Sequence, residues 1–271
     1  MASPARRAGM AGASWPPRAA LVRPPGASFG RALSEHPDRD TIDPDRAAAQ
    51  HAGYRDALRR AGLDVVVLPV AEELPDACFV DDCAVVAGGD ALLTRPGAPS
   101  RAAEPELLAA DLGRLAGRVE RMAPPATLDG GDVLALGDSL VVGRSRRTNQ
   151  AGIDRLAAFA AGRGLRVAVA ELPAGTLHLQ SSVTALGARA VVGRPDVLDQ
   201  PAFGPAEARV EVPPDEAPAC NVVVAGGTIV MPAGCPRTAA ALAALGFAVD
   251  ELDLSEFAKA DGGATCLSLL L

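Results

Sequence analysis

Apolar residues fall in short runs broken by glycine turns along much of this chain, and the runs alternate with stretches of helical spacing. Four segments share one form: a polar opening residue, an apolar run, a tight glycine-containing turn and a second apolar run. They are Asp82-Cys-Ala-Val-Val-Ala-Gly-Gly-Asp-Ala-Leu-Leu-Thr-Arg95, Asp132-Val-Leu-Ala-Leu-Gly-Asp-Ser-Leu-Val-Val-Gly-Arg144, Ser182-Val-Thr-Ala-Leu-Gly-Ala-Arg-Ala-Val-Val-Gly-Arg194 and Asn221-Val-Val-Val-Ala-Gly-Gly-Thr-Ile-Val-Met-Pro232. A glycine turn between two apolar runs predicts a β-hairpin. The first three hairpins open 50 residues apart and the fourth opens 39 residues after the third.

Between the hairpins the apolar spacing changes to three and four, which predicts helices. These cover residues 44–60, 104–115, 149–161 and 237–245, and Gly62, Gly162 and Gly246 follow three of them as C-terminal stops. Residues 201–208 carry the weakest helical pattern. Strands follow the four helices at 64–70, 118–122, 166–170 and 248–252. A strand at 19–23 and the apolar end at 266–271 make a fifth, split unit. One such unit cannot bury its own faces, so the units pack around a common axis. Five units closing a ring bring the chain ends together. The fold expected is therefore α/β, a pseudo-fivefold α/β propeller of ββαβ-type repeats, forming one domain over residues 19–271. A flexible extension is expected over residues 1–18. Residues 1–34 hold five arginines and no acid, but no apolar core follows Arg6 and Arg7 as a secretion signal requires.

Composition narrows the function. Of 271 residues, 33 are acidic and 26 basic, a net charge of −7 that argues against a nucleic-acid partner. No apolar run is long enough for a membrane span. The five cysteines contain no CxxC and no zinc-site spacing, which points to a reduced, cytoplasmic protein without a metal. Gly88-Gly-Asp90 and Gly130-Gly-Asp132 lack dinucleotide-binding spacing. Nothing in the sequence sets the oligomeric state, and a homodimer is among the options.

In a closed ring, equivalent positions of the repeats meet at the axis. Just before the hairpins stand Asp76 and Asp81, then Asp129, then His178; in the split unit stands Cys266. Cys266 alone reads as a core thiol, His178 alone as a core histidine, and Asp129 before Gly-Gly as a turn residue. Together they are a nucleophile, a base and an orienter. His36, in a charged loop, and His51, on the first helix, read as solvated surface.

The segments Leu74-Pro-Asp-Ala-Cys-Phe-Val-Asp-Asp82, Leu93-Thr-Arg-Pro-Gly-Ala-Pro-Ser-Arg101, Thr127-Leu-Asp-Gly-Gly-Asp132, Val142-Gly-Arg-Ser-Arg-Arg-Thr-Asn149, Leu177-His-Leu179 and Asp261-Gly-Gly-Ala-Thr-Cys266 resemble the dimethylarginine dimethylaminohydrolases, or dimethylargininases. That family belongs to the guanidine-modifying superfamily, with arginine deiminases and amidinotransferases, and has the five-bladed α/β propeller. The resemblance implies Cys266 as nucleophile, His178 as general acid/base and Asp129 as acidic partner. It implies Asp76 and Asp82 as ligands of the substrate's cationic ends, helped by Asp81. Arg101 and Arg147 match arginines that grip the α-carboxylate. Leu33 matches a residue on a flap, and Ala260 a substrate contact through the backbone. Relatives often carry Glu where Asp81 stands and a larger apolar residue at Ala260.

The implied reaction hydrolyses asymmetric dimethylarginine or monomethylarginine to citrulline and dimethylamine or methylamine, through a thiouronium on Cys266, with no cofactor. A guanidinium carbon is a poor electrophile, and a thiolate is potent enough to attack it. The partner implied is the small-molecule methylarginine, with no nucleic acid and no membrane. Two alternatives stay open: arginine deimination or another guanidine hydrolysis on this scaffold, and a non-catalytic amino-acid-binding protein.

Overall fold

The computed structural model describes residues 17–271. Most of the expected 1–18 extension lies outside the described residues. Among the described residues are five three-stranded sheets, all of one pattern. An inner strand pairs antiparallel with a middle strand across a hairpin, and the middle strand pairs parallel with an outer one after a helical crossover.

The second sheet shows the pattern: inner β3 (Ala84–Ala87), middle β4 (Asp90–Leu93), crossover α2 (Ala109–Leu115) and outer β5 (Val119–Arg121). Its turn needs glycine, because Gly88 and Gly89 both have positive φ, at 60° and 81°. The third sheet is β6 (Val133–Leu136), β7 (Ser139–Arg144) and β8 (Arg166–Glu171), crossed by α3 (Gln150–Ala161). Asn149 caps α3, its side chain accepting from the Gly152 N–H. The fourth is β9 (Val183–Ala185), β10 (Ala190–Gly193) and β11 (Ala208–Glu211), and α4 (Pro195–Leu198) lies in its crossover. The fifth is β12 (Val223–Ala225), β13 (Thr228–Pro232) and β14 (Ala248–Leu252), with α5 (Pro236–Ala244).

The first sheet closes the ring. Strand β1 (Ala19–Val22) pairs parallel with β2 (Asp64–Val67) after α1 (Pro44–Arg60), and antiparallel with the C-terminal β15 (Leu269–Leu270). The register sets Ala20 opposite Leu270 and Leu21 opposite Leu269. A short 3₁₀ turn precedes every inner strand: Val80–Cys83, Gly130–Asp132, Leu179–Ser181, Pro214–Cys220 and Thr265–Leu267. These five turns form one layer at one end of the axis, and every residue expected to converge lies in them or beside them. Among the described residues, no helix is long and apolar enough to cross a membrane.

The sequence pattern departs from the structure in three places. The fourth crossover is not a helix over 201–208 but α4 followed by a 3₁₀ turn at Pro201–Phe203. Pro195, Pro201, Gly204 and Pro205 deny it the donors and geometry of a longer helix. The C-terminal strand is confined to Leu269–Leu270, because Cys266 belongs to a 3₁₀ turn.

The third departure is His51, which is buried, not solvated. Ala47, His51, Tyr54 and Leu58 form one face of α1, and the imidazole packs against Tyr54 and Phe257. Neither ring nitrogen has a hydrogen-bond partner among the described residues. Burial, helped by the Arg55 charge, lowers its pKa from 6.5 to about 3. The unfolded chain therefore binds a proton at His51 below pH 6.5 that the folded one refuses, and stability is lost as pH drops from 6.5 towards 3. His51→Leu is expected to gain about 2 kcal/mol over the parent on going from pH 8 to pH 5, read from urea midpoints. An unchanged difference at the two pH values would contradict this.

Candidate active site

The turn layer holds a small cavity of about 20 Å³, lined among others by Leu33, Asp76, Asp82, Arg101, Arg147, His178, Ala260 and Cys266. A nucleophile, an imidazole, three acids (Asp76, Asp82 and Asp261) and two arginines from distant parts of the sequence thus share one space. A larger cavity of about 790 Å³ lies outside it, and Leu33, Arg147, Leu177 and Asp261 line both.

His178 is held from behind. Its Nε2 lies 3.0 Å from Asp129 Oδ2, and its Nδ1 lies 3.8 Å from Asp82 Oδ1, too far for a hydrogen bond. Burial disfavours the imidazolium, but the Asp82 charge, the bond to Asp129 and the charge of Asp132 outweigh it, and the pKa rises to about 9. Asp129 is fully buried behind the histidine and does not line the small cavity. Its Oδ1 accepts the Gly97 N–H at 2.8 Å, and Arg147 Nη1 lies 3.6 Å from its Oδ2.

Asp82 is fixed by the Gly131 N–H at 3.0 Å and by Arg101 Nη1 at 2.5 Å. Burial opposes its charge, but His178 and Arg101 hold its carboxyl below the usual range. Gly-Gly after Asp129 is what lets these groups meet. A Cβ on Gly131 would stand 2.8 Å from Asp82 Oδ1 and 3.0 Å from His178 Nδ1.

Cys266 is neutral in this setting. Burial, then the charges of Asp82 and Asp81, push its thiol up to about 12, against the pull of the Gly263 N–H at 3.4 Å from Sγ. Its turn is clamped from two sides. The Tyr54 hydroxyl of α1 donates to the Ala264 carbonyl at 2.8 Å. Asn221 accepts the Thr265 N–H at 2.8 Å and donates to the Gln180 carbonyl at 3.1 Å, tying three repeats together.

The other expected ligands divide. Asp76 lines the cavity, and its Oδ1 accepts the Leu33 N–H at 2.9 Å. Arg147 reaches the cavity with Nη1 free of any hydrogen-bond partner among the described residues. Arg101 is buried and largely occupied: Glu104 takes Nε and Nη2, Asp82 takes Nη1, and the Asp76 and Phe79 carbonyls take the rest of Nη2. Asp81 is not brought into the small cavity. It lines an axial cavity of about 190 Å³ between the inner strands. Successive residues of a tight turn project to different sides, so Asp82 enters the site while Asp81 faces the axis.

Three positioning groups escaped the sequence reading. Asp132 accepts the Leu179 N–H at 3.1 Å and the Thr148 hydroxyl at 2.7 Å, so it sets the histidine's turn. Glu104 neutralises Arg101 from the far side, and Asn221 braces the cysteine's turn. The signal for two of them was present: Asp132 and Asn221 open repeats just as Asp82 does. Asp82, Asp129 and His178 place donor atoms within 4.8 Å of one another, but Arg101 and Arg147 already stand against the two carboxylates. Gly131→Ala is expected to displace Asp82 and His178 and to lower kcat/KM about a hundredfold, with the fold retained by circular dichroism. Wild-type turnover in this variant would show that the close approach is not needed.

Comparison with known proteins agrees with this geometry. A family model described as arginine deiminase matches residues 102–209. The N(G),N(G)-dimethylarginine dimethylaminohydrolase of Streptomyces coelicolor is 40% identical over 94% of this chain and 98% of its own. Its namesake in Pseudomonas aeruginosa is 34% identical over 89% of this chain and 99% of its own. A cysteine-to-serine variant of the Pseudomonas aeruginosa enzyme, solved with citrulline, superposes with a TM-score of 0.88 at 32% identity, over 94% of this chain and 99% of that one. With five matching sheets and relatives of this similarity along almost its whole length, the chain belongs to the dimethylarginine dimethylaminohydrolase family.

Proposed function

We propose that the protein hydrolyses Nω-methylated L-arginine to L-citrulline and methylamine or dimethylamine, with Cys266 as nucleophile. The observation that carries this reading is the Cys266 thiol and the His178 imidazole lining one cavity together with the carboxylates of Asp76 and Asp82. A cationic substrate completes the charge balance: beside Cys266 it stabilises the thiolate and brings the pKa down on binding. Asp82 and Asp76, two of the three acids lining the cavity, are suited to the guanidinium and α-ammonium ends. Arg147, with a free Nη1, suits the α-carboxylate, and Arg101 has a single remaining Nη1 hydrogen to add. Leu33 and the Ala260 backbone border the same space.

The Cys266 thiolate attacks the guanidinium carbon, forming a C–S bond and a tetrahedral adduct. The imidazolium of His178 gives its proton to the methylated nitrogen, the C–N bond breaks, and the amine leaves. A thiouronium remains on Cys266. Neutral His178 then takes a proton from water as its oxygen attacks the same carbon. The adduct's hydroxyl gives up its remaining proton to solvent as the C–S bond breaks, releasing citrulline and the thiolate. Asp129 holds the ring and favours its charged form throughout. No step calls for a metal or an organic cofactor.

The match to the arginine deiminase model favours a second reading, in which unmethylated arginine is the substrate and ammonia the leaving group. Citrulline assays with asymmetric dimethylarginine, monomethylarginine and arginine separate the two, with the methylated substrates expected to have the higher kcat/KM. A preference for arginine would overturn the substrate assignment. Cys266→Ser is expected to fold and to make no citrulline, and full activity in it would sink the mechanism. The free enzyme must hold His178 protonated and Cys266 ionised at once, with His178 losing its proton at about 9 and Cys266 at about 12. kcat/KM is therefore expected to rise with pH up to about 9 and to level off above it, where loss of the imidazolium cancels the gain in thiolate. A profile still rising about tenfold per pH unit at about pH 10.5 would contradict the role of His178.

A further inference from the structure

The small cavity has room for about one water molecule, far less than an amino acid needs. Leu33, Arg147, Leu177 and Asp261 stand between it and the outer cavity, so the segment 33–36 along the outer cavity must move to admit substrate.

The flap is tied down mainly beside Asp261. Asp261 Oδ2 accepts the Glu35 N–H at 2.7 Å. The Ser34 hydroxyl lies 3.0 Å from the same oxygen and 2.8 Å from the Lys259 carbonyl, and its one hydrogen is shared between them. The Leu33 N–H to Asp76 is a further tie at 2.9 Å, and the Arg146 to Glu35 pair, exposed on both sides, contributes little. Among the described residues, Asp261 is also the one non-glycine with positive φ, at 55°. Side chains other than glycine rarely hold that conformation, and Asp and Asn tolerate it best. The segment it bends is the one that carries Ala260, Gly262 and Gly263 to Cys266. Gly262 lies so close to Phe79 that a Cβ would stand 2.5 Å from the ring. Phe79 in turn packs against Phe29 and Phe257, so the bend has a rigid backing.

We propose that Asp261 is a positioning residue that latches the flap over the reaction site. Its carboxylate clasps residues 34 and 35, and its left-handed backbone aims that carboxylate outward while the chain turns back to the thiol. Closure then brings Leu33 over the cavity and, through the Leu33 N–H, orients Asp76. Opening breaks the Glu35 N–H bond to Asp261 and the shared Ser34 contact, and re-closing over substrate restores them.

The test uses two readouts. The first is the rate of iodoacetamide labelling at Cys266 in the free enzyme, followed by peptide mapping; it needs no turnover and stands apart from the methylarginine reading. Asp261→Ala is expected to speed labelling about tenfold. The second is steady-state kinetics, which rests on that reading: the latch re-forms in the closed complex, so Asp261→Ala is expected to leave KM within about twofold, whereas a damaged binding site would raise it further. Asp261→Asn keeps an acceptor oxygen and the backbone tolerance, so it is expected to restore most of the slow labelling. If Asp261→Ala does not fold, Ser34→Ala, which removes one clasp bond, is expected to speed labelling in the same direction. Labelling unchanged in the folded Ala variant, or in Ser34→Ala, would overturn the latch. So would an Asn variant no better than Ala.

Discussion

Ring closure is the constraint on which the site depends. Cys266 comes four residues before Leu270, and its nearest catalytic neighbours in sequence, around His178, are more than eighty residues away. The pairing of Ala20 with Leu270 and Leu21 with Leu269 carries the last turn of the chain back beside the first complete repeat, where Asp76 and Asp82 lie. Tyr54 and Asn221 then lock that turn from the first helix and the fourth hairpin. Without the two-residue strand β15 the thiol would have no histidine.

Given closure, electrostatics organises the centre. Asp82, Asp129 and Asp132 surround one histidine, and Arg101 with Glu104 extends the alternation outward. Burial opposes the charges of Asp82 and His178, yet their opposite signs keep both ionised, while burial itself holds Cys266 as a thiol. The resting site is therefore charge-poised and unreactive, and a bound cation is what changes its state. Such a site spends little thiolate on side reactions when empty.

Much of this was legible in the sequence. The four hairpins, the helix over 44–60, and the convergence of residues before each inner strand follow from turn chemistry and repeat spacing. Those signals are local, or periodic over about 50 residues. What escaped was decided by direction within single turns and by distant partners. Asp81 and Asp82 are adjacent in sequence, but the turn at 80–83 sends one to the axial cavity and the other to the site. Arg101 reads as a free cation until Glu104, three residues on, proves to be buried against it. His51 looks polar on a helix of polar residues, yet the helix face that includes Tyr54 puts it in the core. Asp132 and Asn221 occupied repeat positions equivalent to the chosen acids, and their bracing role needed coordinates to see.

The central claim is that Cys266 forms a covalent bond to the substrate's guanidinium carbon. Intact-protein mass spectrometry of enzyme acid-quenched during turnover of asymmetric dimethylarginine tests it most directly. The account requires an adduct equal to the substrate less dimethylamine, mapped to Cys266 and absent from Cys266→Ser. Steady citrulline production with only unmodified enzyme at every quench time, or an adduct on another residue, would contradict it.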